Sequence, residues 1–218
     1  MERDPAPRVA PSLAPEHEWS AASRLLRPAL RPAGTVGVDG RNLHAVSGAG
    51  LPGKPLILPG PAGLTIGYVI PGPGFEVLVG AEHLLAWGVG PDDVHAAAMA
   101  NLAAWSIEAP WAAEESGFRR VVWSDSGEGV DAARILLPEV RAELAADLGG
   151  IGRVVIGVPE RDLLIAAGLA DHDDEFSALL AAHVVDRWEA ADHPIDQRLF
   201  ELEAGRLVVF GGPSGAGR

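Results

Sequence analysis

The chain has 218 residues, 48% of them hydrophobic and 22% charged, which is enough for one sizeable core and favours a single domain. Its 17 basic side chains face 30 acidic ones, a formal net charge of −13 that opposes binding to nucleic acid or anionic lipid, since such affinity comes from basic groups releasing counterions. Cysteine is absent, which excludes disulfides, thiolate metal ligands, iron-sulfur clusters and a cysteine nucleophile.

The first 34 residues contain six prolines and end in RPAG, so the sequence predicts a flexible proline-rich arm over 1–34. Within it Glu16 to Leu26 reads as a short helix with Trp19, Ala22 and Leu26 on one side, docked weakly or not at all. The start of the chain has acids and prolines where an export signal would be basic and then apolar. No apolar run approaches the roughly 18 residues of a spanning helix, so no membrane association and a cytoplasmic location are expected. Thr35 to Pro61 is punctuated by glycine and proline and reads as connecting structure. Leu64 to Ile70 and Phe75 to Val79 read as a hairpin reversed by PGPG.

Ala81 to Trp87 reads as a short helix stopped at Gly88, and Pro91-Asp92-Asp93 opens a second, with proline in its first turn and acids at the positive dipole end. Its apolar stripe is Val94, Ala98, Leu102 and Trp105, with Asn101 beside it. Phe118 to Ser124 is the next strand, and Asp131 is expected to cap a helix through Leu137. From Pro138 the period changes twice. Val140, Leu144 and Leu148 recur every four residues on a helix ended by Gly149-Gly150, and Val154 to Val158 is then a β-branched strand. Pro159 to Asp162 reads as a turn into a second strand, Leu163 to Ala167, and this helix and strand pair is expected at the centre of the core. The aspartates of GLADHDDEF are placed to accept from the free amides of a long helix reaching about Ala190, with Phe176, Leu179, Leu180, His183, Val184 and Trp188 inward. Arg198 to Glu203 and Arg206 to Phe210 close the chain as a hairpin, followed by a disordered glycine-rich tail over 211–218. The whole predicts an α+β class over 35–210: a mixed, largely antiparallel sheet of about six or seven strands with three to four helices, in one domain.

The tail VVFGGPSGAGR has the look of a strand and phosphate loop, but Arg218 stands where a lysine would be and no helix follows to face the phosphates. No nucleotide or other cofactor is expected. The histidines lack metal-ligand spacing, and Asp171, His172, Asp173 and Asp174 read as a helix start, so no metal is expected. Ser124, Ser126 and Ser177 lack a nucleophile elbow, no catalytic residue is assigned, and the six tryptophans read as core. The remaining candidate is the turn at Arg161 and Asp162, with Asn101 as a possible neighbour, which serves either the fold or a ligand.

HLLAWGVGPDDVHAAAMANL (His83 to Leu102), DAARILLPEVRAELAADLG (Asp131 to Gly149) and VVIGVPERDLL (Val154 to Leu164) together resemble, in order and spacing, a YtpQ-like bacterial family of unknown function. The resemblance implies a cytoplasmic α+β protein and brings no activity or site residues with it. Sixteen arginines against the single Lys54 agree with a GC-rich bacterial genome. The expected function is a soluble, non-catalytic interaction or regulatory protein with an unidentified protein partner. The alternative is a small-ligand-binding protein or enzyme that uses the Arg161 and Asp162 turn.

Overall fold

The computed structural model describes residues 18–41, 53–72 and 74–211. The fold is α+β, and its strands divide between two sheets, five in one and six in the other, where a single sheet of six or seven was expected.

The first sheet begins inside the stretch read as a flexible arm. Helix α1 (Trp19–Leu25) and strand β1 (Arg27–Arg31) are both parts of the core, with Ala22, Leu26 and Leu30 buried. That expectation is corrected for 18–34; 1–17 lie outside the described residues. Of the six prolines behind that expectation, Pro28 lies opposite Tyr68 in a strand paired on one side only among the described residues, and an edge strand tolerates a residue that lacks a backbone donor. β2 (Val38–Asp39) and β3 (Leu56–Pro59) are likewise strands in the segment read as connecting structure, whose 42–52 lie outside the described residues. β4 (Thr65–Gly72) is the hub. β1 runs antiparallel on one side, β3 pairs with its first half, and β5 (Phe75–Leu78) pairs with its second half as the expected hairpin. β2 joins β3 in parallel, the one parallel pairing recorded among the described residues.

Helices α2 (Ala81–Trp87) and α3 (Pro91–Glu108) follow as expected, α3 burying Val94, Ala98 and Leu102. The second sheet has the order β11-β10-β8-β9-β7-β6, from β6 (Ala112–Ser116), β7 (Arg119–Ser124), β8 (Arg153–Glu160), β9 (Leu163–Leu169), β10 (Leu199–Glu203) and β11 (Arg206–Val209). Between β7 and β8 come a 3-10 helix, Ala132–Leu136, and α4 (Pro138–Leu148); α5 (Asp174–Ala190) follows β9.

β8 and β9 are buried on both faces, which explains their unbroken apolar runs. Val154, Ile156, Val158, Leu164 and Ala166 join the larger core, shared with α3, α4 and the first sheet. Val155, Leu163, Ile165, Ala167 and Leu169 face α5. Gly157 is needed between them, because a Cβ there would lie 2.5 Å from Val184 Cγ2 on α5. Pro159 does not end the strand. A register shift between Gly157 and Glu160 accommodates the missing donor, and the Pro159 carbonyl accepts from Ile195 N at 2.7 Å.

Two further expectations are corrected. Asp131 does not cap a helix; it is fully buried, and its carboxylate accepts from the Ser124 and Ser126 hydroxyls. On α5, Ser177, Leu180 and Val184 are the buried residues, whereas Leu179 is 58% exposed and His183 is exposed too.

Candidate functional site

The tight β8–β9 turn leaves Arg161 and Asp162 between the two sheets. Arg161 Nη1 donates to Glu76 Oε2 on β5 at 3.1 Å, and its Nε donates to Asp162 Oδ2 at 3.3 Å. The other oxygen of Asp162 accepts from Gly129 N. Gly129 has φ +76°, a left-handed conformation that favours glycine in this turn beside the pair. The backbone is anchored as well: Arg161 O accepts from Ala132 N, and Arg161 N donates to His193 O.

Arg161 and Glu76 line two adjoining clefts, of about 230 and 670 Å³, and Arg31 from the end of β1 and His193 line both of them too. Burial lowers the proton affinity of the Arg31 guanidinium; Glu76 opposes that shift and Arg161 adds to it. Asn101 is elsewhere. From α3 its Nδ2 donates to Ser23 O and Leu26 O, both at 2.8 Å, closing the last turn of α1. It lines neither cleft, so the structure joins Arg161 to Asp162 and leaves Asn101 apart.

Sequence reasoning missed a second feature. Among the described residues β6 pairs with β7 alone, and all five of its residues are exposed. The register places Glu114 opposite Val121 and Ala112 opposite Trp123, hence on the α5 side of the sheet. There an open groove of about 380 Å³ is walled by Val121, Trp123 and Ile165 from the sheet and by Phe176, Leu179 and Leu180 from α5. Trp123, read as core, is a wall of this groove. The rim is charged, but Arg187 is taken up by Glu160 and Asp125, whereas Glu114 has no ion pair among the described residues. The available signal was Val121 and Trp123, two residues apart and hence on one face of β7, once AAEES is recognised as its partner.

A third cleft, of about 450 Å³, is lined by His95 and Arg141. His95 Nδ1 lies 2.8 Å from the hydroxyl of the fully buried Tyr68. Burial raises the phenol's proton affinity and lowers that of the imidazole, which favours the neutral form of both partners in this hydrogen bond.

Of the aspartates before α5, Asp173 is engaged with protein. Asp173 accepts from Phe176 N at 3.3 Å and from the Arg119 guanidinium at 2.8 and 2.7 Å. Among the described residues no helix is long and apolar enough to cross a membrane. The chain matches no family model, no curated protein and no solved structure.

Proposed function

We propose that this chain is a non-catalytic interaction protein that takes up an extended, basic and apolar segment of a protein partner along β6 and into the groove beside α5. The observation that carries this reading is the coincidence, on one face, of an edge strand with no outer neighbour among the described residues and an open apolar groove. An edge strand offers unpaired backbone groups that an added strand satisfies, and alternate side chains of that strand then point into whatever lies on its face. Here they would meet Trp123, Phe176 and Leu179, and a basic residue would meet Glu114. The net charge of −13 favours a cationic partner and disfavours a second copy of this chain. A cytoplasmic place, a bacterial origin and kinship with the YtpQ-like family belong to the same proposal. Their support is the acidic composition, the arginine bias and the order of the three sequence blocks.

The test is fluorescence anisotropy with a labelled peptide of alternating lysine and leucine against one of alternating glutamate and leucine. The lysine peptide should bind at least about tenfold more tightly, and Leu179→Asp should weaken it by a similar factor. Glu114→Lys should reverse the preference. Equal binding of the two peptides, or indifference to Leu179→Asp, would overturn the reading.

A further inference from the structure

We infer that the cleft between β1, the β4–β5 hairpin and the β8–β9 turn is a site for a small oxyanion, a carboxylate or a phosphate, held between Arg31 and Arg161 and guarded by Glu76. The two guanidiniums come from different sheets and line the same pair of adjoining clefts, with His193 beside them. Their partners differ. Arg161 is engaged by Glu76 and Asp162, whereas the Arg31 guanidinium makes no hydrogen bond or ion pair among the described residues, although it is half-buried and within electrostatic range of Arg161. A cation withdrawn from water beside a like charge is unfavourable unless an anion compensates it; among the described residues Glu76 offsets the shift and the exposed Asp192 lines the smaller cleft, but neither bonds to Arg31.

Glu76 shows which chemistry the cleft accepts, because its carboxylate already occupies one face of Arg161. It is not locked there. Phe75, Glu76 and Leu78 of β5 are exposed, and Gly129 presents no side chain against the pair. A free carboxylate or phosphate can therefore displace the Glu76 side chain, bridge Arg161 to Arg31 and neutralise both, using the forked donor geometry that guanidinium offers to such groups. Glu76 then acts as an internal competitor that sets the affinity. This site lies apart from the β6 groove, so its fate is independent of the interaction reading.

Calorimetric titration of the full chain in an uncharged buffer system at low salt tests it, with inorganic phosphate in one arm and succinate in the other. Glu76→Gln should tighten binding at least about threefold by removing the competitor, and Arg31→Gln should weaken it by about tenfold or more. Arg161→Gln repeats the second test at the other guanidinium, and urea unfolding of each variant identifies any that fail to fold. A response to phosphate alone assigns phosphate, and a response to succinate alone assigns carboxylate. If neither ion binds to the Glu76→Gln chain, or if that variant binds no more tightly than the unaltered chain, the inference is overturned. The same holds if folded Arg31→Gln and Arg161→Gln bind as the unaltered chain does.

Discussion

The guanidinium carbon of Arg134 lies 4.0 Å from the centroid of the Trp111 ring, and the arginine is only 1% exposed. Its nitrogens donate to Ser124 Oγ at 2.8 Å, Ser106 Oγ at 3.0 Å and the carbonyls of Ser106 and Ala109 at 3.2 and 3.4 Å. Ser124 in turn donates to Asp131, so a hydroxyl bridges a buried cation to a buried anion. Burial pushes Arg134 down from its ordinary proton affinity while Asp131 and Glu143 hold it charged. Ser124 of SDSG is therefore part of the core, whereas Ser126 is exposed and reaches in to the same carboxylate.

Arg134→Met removes the cation and leaves the Asp131 carboxylate buried without its counter-charge. Breaking a buried pair from one side typically costs about 3–5 kcal/mol, and the loss should be read from urea unfolding at unchanged slope. The double variant with Asp131→Asn should recover part of it. A loss below about 1 kcal/mol would show that the network contributes little.

Asn101→Ala takes away both donors that close α1, leaving the carbonyls of Ser23 and Leu26 short of partners. Each lost bond is worth about 0.5–1.5 kcal/mol net, so a loss of about 1–3 kcal/mol is expected in chemical unfolding. Asn101→Asp, which retains shape but reverses the polarity, should be at least as damaging. Variants that keep full stability would return Asn101 to the pool of ligand-binding candidates.

His95 makes stability depend on pH in a definite direction. Burial is the main cause of its lowered proton affinity; Asp92 opposes the shift and Arg41 adds to it. The unfolded chain takes up a proton near the ordinary histidine value of about 6.5, while the folded chain resists until lower pH. Its contribution is thus complete above about pH 6.5 and is lost as the pH falls from there through the folded value. Urea midpoints between pH 7.5 and 5.5 should fall less steeply for His95→Gln than for the unaltered chain; parallel curves would remove His95 as the cause.

Much of this fold was legible. The periods of α3, α4, β8, β9 and the final hairpin stand close to the boundaries their apolar spacing predicts, because each buries a regular stripe. What misled were residues whose usual meaning depends on neighbours far along the chain. Pro28 and Pro159 read as breaks, yet an edge position and a register shift make both acceptable. AAEES showed no apolar alternation because β6 buries none of its residues. At the site, Arg161 with Asp162 was visible as a turn, but Arg31 and Glu76 come to it from β1 and β5, and nothing local to those residues announces it.

The placement of α1 and β1 also governs the order in which the chain can close as it is synthesised. β1 appears early, but its partner β4 begins at Thr65, and Asn101, which seals the end of α1, comes later still. Until those residues emerge, Leu26 and Leu30 have nothing to bury against, since contacts between distant parts of a chain form only after the intervening loop is closed. α1 and β1 are therefore made before the residues that cover them, and during that interval their apolar side chains are uncovered for a chaperone to meet.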